Sequence, residues 1–123
     1  MVNLDNVGVG SVVLNMIESV PSTISGATLW NMVDNERLFA EQLTGDTIGT
    51  SIADKYQPGI IALTASSVLQ LMEVQGIGTK SVKIGDISIT KGIGESASSK
   101  MRETGMRKLD ALGEQISFYK ALG

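Results

Sequence analysis

No histidine and no cysteine occur in the 123 residues, so any acid–base chemistry falls to carboxylates. The candidate pairs are Asp34 with Glu36 and Asp46 with Asp54. A carboxylate acid and its partner base must share one pocket, where their surroundings drive the two pKa values apart. Nothing in the sequence places either pair in such a pocket, and solvated helix faces and turns are the plainer reading. The missing histidine removes the commonest general base and nitrogen ligand for metals. The missing cysteine removes disulfides, thiolate nucleophiles and the usual structural zinc sites. The expectation is a protein that is not an enzyme and carries no cofactor, with no catalytic and no metal-binding residues.

Three G-x-G fragments invite a phosphate-binding reading: Gly8-Val9-Gly10, Gly76-Ile77-Gly78 and Gly92-Ile93-Gly94. None follows a strand and opens a helix with the third glycine that a dinucleotide site needs. They read as flexible links, two of them bracketing residues 80–91. Lys80, Lys83 and Lys91 form a small basic cluster that suits either a phosphate backbone or the guarding of an edge strand against aggregation. The net charge of −3 argues against tight non-specific DNA binding, which relies on clustered Lys and Arg. The N-terminus MVNLDNVGVG lacks the basic start and long apolar run of a signal peptide, and no stretch approaches a membrane span. A soluble protein made in the cytoplasm is expected.

The elements that position these residues are mostly helical. The length suggests one domain over residues 1–123, with a mainly aliphatic core. Residues 1–10 read as a flexible arm. A short helix capped by Ser11 carries Val13, Met16, Ile17 and Val20 and stops at Pro21. A second helix runs from Ala27 to Leu43, with Leu29, Met32, Val33, Phe39, Ala40 and Leu43 on its apolar stripe. Asp34, Glu36, Arg37 and Glu41 decorate the other side, and Thr44-Gly45-Asp46 ends it. Ser51 to Asp54 resembles a capping box. Gly59 to Val74 is apolar over more than half its circumference and reads as the central helix, with Ala62, Ala65, Ser66 and Ser67 permitting close contact.

In KSVKIGDISITKG (residues 80–92), apolar and polar residues alternate on both sides of Gly85-Asp86, which predicts a protruding two-stranded hairpin over 80–91. Ile84 then opposes Ile87 and Val82 opposes Ile89, so all four share one face, with Lys83 on the other. That face covers helices of its own subunit or meets a neighbour. A long helix follows from Glu95 to Leu122, in which Gly105 and Gly113 call for close packing or a bend. Residues 114–123 form a possible extended tail. The predicted fold class is mainly α: a small helical bundle around a central helix, with one β-hairpin and a long C-terminal helix.

This order of parts resembles the head–tail connector (adaptor) proteins of tailed bacteriophages. Three pieces carry the resemblance over about residues 27–115. They are Thr44-Gly45 with Asp54-Lys55-Tyr56-Gln57-Pro58, then Leu69-Gln70-Leu71-Met72, then Ser81 to Ile89 followed by a Gly/Ser-rich link and a charged helix. The N-terminal arm, the first helix and the Phe118-Tyr119-Lys120 tail depart from the family. The resemblance implies a structural virion protein at the neck, forming a homo-oligomeric ring between the portal protein and tail or stopper proteins. DNA would pass through its lumen without sequence-specific binding. It also implies subunit or partner contacts at Val82, Lys83, Ile84, Ile87 and Ile89, and portal contacts at Phe118, Tyr119, Lys120 and Leu122. The alternatives are another tail-completion component, or a small helical binding module unrelated to viruses.

Overall fold

Asp5 sets where the chain first becomes helical. Its side chain accepts a 2.7 Å hydrogen bond from the Gly8 amide and caps helix α1, Asn6–Met16. The computed structural model describes residues 3–17, 20–24, 26–75, 81–84, 87–90 and 97–122, with 81–84, 87–90 and 114–122 described by backbone alone. The expected arm over 1–10 is therefore corrected, and so is the Ser11 cap. Val9 and Val13 are fully buried one helical turn apart. Gly10, read from sequence as part of a flexible link, sits where a Cβ would lie 2.9 Å from Leu29 Cδ2. The glycine lets α1 approach its neighbour closely. Ahead of the helix, Leu4 exchanges both backbone hydrogen bonds with Ile52, at 3.0 and 2.7 Å, which pins the N-terminal segment to a later loop.

Helix α2 spans Ala27–Thr44. It ends at Gly45, whose φ of 71° is left-handed and whose amide bonds the Glu41 carbonyl. A 3₁₀ turn at Asp54–Tyr56 leads into helix α3, Gln57–Val74, with Pro58 in the first turn, where its missing N–H costs nothing. No side-chain cap from the Ser51–Asp54 stretch is made to that turn; instead Gln57 Nε2 donates to the Ile52 carbonyl at 3.0 Å. Helix α3 is buried from Gly59 through Ser66, and again at Val68, Leu69 and Met72. The central position expected of it is what the structure shows.

Helix α4 covers Ala97–Leu122 without a break, so the close-packing reading of its glycines holds rather than the bend. A Cβ on Gly105 would lie 2.9 Å from both the Gly59 carbonyl oxygen and Leu63 Cγ. One on Gly59 would lie 2.5 Å from Cγ of the fully buried Leu109. The two helices thus meet almost backbone to backbone, and each glycine faces the other helix. At the far end, a Cβ on Gly113 would lie 2.8 Å from the Leu43 carbonyl oxygen of α2. With Arg102 beside Glu36 and Phe39, this makes α4 run alongside α2 in the same direction.

Between α3 and α4, the backbones of Ser81–Ile84 and Ile87–Thr90 pair antiparallel, with Ser81 opposite Thr90 and Ile84 opposite Ile87. The hairpin expected as a component of the fold is nonetheless corrected. Among the residues described with their side chains, the fold is mainly α and contains no sheet. Among the described residues, the core runs through the four helices and the loops between them. The physical reason is that helices α1, α2 and α4 already enclose α3, so the core closes without a sheet, while a lone pair of short strands is marginal in water. The turn at 85–86 and the side chains of Val82, Lys83, Ile84, Ile87 and Ile89 lie outside the described residues, and with them the expected apolar face. Phe118, Tyr119, Lys120 and Leu122 are placed only by the helical backbone of α4.

Candidate functional site

The acidic residues that sequence paired turn to different partners. Asp34 accepts hydrogen bonds from Arg37 Nη2 at 2.8 Å and from Asn6 Nδ2 at 3.3 Å. Those bonds, Arg37 first and Asn6 second, hold its carboxyl below the usual aspartate range. Asp46 accepts a bond from the Tyr56 hydroxyl rather than facing Asp54. Tyr56 is almost wholly buried, and that burial, together with Asp46, pushes its phenol up to about 12. The tyrosine ties the turn after α2 to the turn before α3, so the pair fastens a connection.

Glu36 departs furthest from expectation. Sequence put it on the solvated side of α2, yet it is 7% exposed. Its Oε1 accepts from Ser67 Oγ of α3 at 2.9 Å and from Arg102 Nη1 of α4 at 3.1 Å. Arg102 also reaches Ser66 Oγ at 3.4 Å, and its guanidinium lies 5.1 Å from the centre of the Phe39 ring. One carboxylate thus fastens three helices. A signal for this was available: Leu29, Val33, Glu36 and Ala40 recur at spacings of four, three and four, the period of a buried stripe.

Of the grooves beside this framework, one lies along α4 past Arg102 and Met106, and two lie between helices. The first of those two, of about 440 Å³, lies between α1 and the start of α2, with Leu14, Leu29 and Trp30 in its walls. Val7 and Trp30, both among the exposed large apolar residues, border it. The second, of about 360 Å³, lies between α2 and α3, with Glu36 in its wall. Among the described residues, no three acidic side chains come together to hold a metal ion, and no helix is long and apolar enough to cross a membrane. Compared with protein-family models, curated proteins and solved structures, the chain matches none.

Proposed function

We propose that the chain is a structural virion protein of the head–tail connector (adaptor) type. It forms a homo-oligomeric ring between the portal protein and the tail or stopper proteins, at the neck of the virion, after synthesis in the host cytoplasm. DNA passes through the lumen without sequence-specific contact, which suits a chain of net charge −3. The observation that carries this reading is the order of elements: two helices, a buried central helix, a linking segment over 75–96, and a long helix studded with charge. The carboxylates tie helices and turns to one another, which fits a structural role.

Within this reading, Val82, Lys83, Ile84, Ile87 and Ile89 contact a neighbouring subunit, and Phe118, Tyr119, Lys120 and Leu122 contact the portal. Mass photometry and negative-stain imaging, with and without portal protein, test the ring: monomer alone under both conditions rules it out. Ile84→Asp combined with Ile87→Asp is expected to abolish the ring while leaving a soluble fold. Deleting residues 114–123 is expected to abolish portal attachment.

The exposed groove beside Trp30 favours a second reading, a helical binding module with no viral role. A persistent monomer that binds no portal would support it.

A further inference from the structure

We infer that the outward face of α4 between Ser99 and Ala111 pairs with the same face of a second copy of this chain, the two helices running antiparallel about a two-fold axis near Met106. Along this face a hollow of about 710 Å³ opens to the outside, walled by side chains of α4 itself. Met106, at its centre, is half-buried against the core, while Glu103, Arg107, Asp110 and Ala111 are exposed. Positions 99, 103, 106, 107 and 110 recur at spacings of three and four, so they share one side of the helix. Gly105 and Leu109 instead meet α3.

The order of charge says what covers this face. From the N-terminal end it runs Arg102, Glu103, then Met106, then Arg107 and Asp110: positive, negative, apolar, positive, negative. These charges sum to zero, so the face has no net pull on a phosphate backbone or a charged peptide. Turned end for end, it complements itself. Arg102 meets Asp110 of the second copy, Glu103 meets Arg107 of the second copy, and the two-fold axis makes each pair twice. A parallel two-fold pair would set like charge against like. The groups needed are available. Arg102 uses Nη1 for both Glu36 and Ser66, and its side chain is 40% exposed. The bond between Arg107 and Glu103 engages Nη2 and Oε1, which leaves the other oxygen and nitrogens to a neighbour. Asp110 joins no ion pair among the described residues. Ser99 meets Ala111 of the second copy at each end, and both are small enough for close approach. From Ser99 to Ala111 is about 18 Å along the axis. That is short for an interface, so the pairing is weak: the dilute chain is single and the concentrated chain is paired. A two-fold pair closes on itself, so it is a state of the free chain and does not rest on the ring proposed above.

Sedimentation velocity of the full chain across a concentration series tests this, with a melting curve to confirm the fold of each variant. Reversible association from one chain of 13.0 kDa to two is expected, weakening as salt is added. Asp110→Arg sets two cations opposite each other, and Arg107→Glu sets two carboxylates opposite each other. Each should weaken the pair at least about tenfold. Glu103→Arg combined with Arg107→Glu restores the match, so this double variant should pair with itself but poorly with the parent chain. The chain has no cysteine, so oxidative cross-linking reads the orientation. Ser99→Cys mixed with Ala111→Cys should cross-link, and neither alone should, because identical positions lie about 18 Å apart along the antiparallel pair. A single chain at every concentration, association untouched by either charge variant, or cross-links as ready in the separate samples as in the mixture would each overturn the pair. Larger species that Asp110→Arg leaves intact would keep the ring and overturn the pair.

Discussion

Replacing Gly105 by alanine sets two physical effects against each other. Alanine at a helix-interior glycine ordinarily stabilises by about 1 kcal/mol, because glycine loses more backbone entropy on folding. Here the new Cβ lies 2.9 Å from the Gly59 carbonyl oxygen and 2.9 Å from Leu63 Cγ. The oxygen belongs to the backbone of α3, and Leu63 is fully buried, so neither can swing aside. Relief requires α3 and α4 to separate along a seam that also holds Gly59 against Leu109. Overpacking of this kind costs about 2 kcal/mol, the middle of its usual range. The net expectation is a destabilisation of about 1 kcal/mol, lowering the melting midpoint by roughly 4 °C. Thermal unfolding followed by circular dichroism measures it. Ala111→Gly, on the exposed side of the same helix, is the control and should cost about 1 kcal/mol through propensity alone. Gly105→Ala melting at or above the parent would refute the close seam and leave propensity as the ruling term.

Arg102→Met strips the partner from a carboxylate that is almost fully buried, and is expected to cost about 1–3 kcal/mol; Arg107→Ala breaks only the exposed pair with Glu103 and should cost less than about 0.5 kcal/mol, both read by urea denaturation. Tyr56 titrates at about 12 in the folded chain against 10.0 ordinarily, so its share of stability is whole below pH 10 and is lost as pH rises through about 12. Asp46→Asn should lower that titration point, seen by ultraviolet absorbance of the phenolate. Asp34 titrates below its ordinary value, so its contribution is present at neutral pH and is lost as pH falls through the lowered value. Asn6→Ala should move the Asp34 carboxyl upward in an NMR titration, and Arg37→Ala should move it further.

Helices α2, α3 and α4 were legible because their apolar spacing is long and regular, and periodicity of that kind survives in any context. Helix α1 was misread because Gly8 and Gly10 look like a loop when the packing around them is out of sight; Gly8 lies close against Leu4 and Asp5, and Gly10 against Leu29, nineteen positions on. Residues 80–91 erred in the other direction. Their alternation is a local pattern, and a local pattern cannot say whether the rest of the chain needs a sheet to close its core. Glu36 shows why the site was harder than the fold. Its residue type says surface, its spacing says core, and only the arrival of Ser67 from α3 and Arg102 from α4 resolves the conflict.

The direction of α4 bears on where an assembly contact falls. Arg102 stands beside Glu36, and Gly113 stands beside Leu43 and Thr44 at the very end of α2. Helix α3 runs the opposite way and begins at Gln57, with Gly59 against Leu109. Both neighbours of α4 therefore finish near Gly113, yet α4 continues to Leu122. Nine further residues at 1.5 Å each carry its axis about 13 Å beyond them. Among the residues described with their side chains, the seam that holds α4 to the body runs through glycines 105 and 113. This supports placing a portal contact on residues 114–123, since their removal takes away reach without opening the seam. Loss of attachment with an unchanged melting curve is the signature of that placement, whereas a parallel fall in both would mean that the last turns belong to the fold itself.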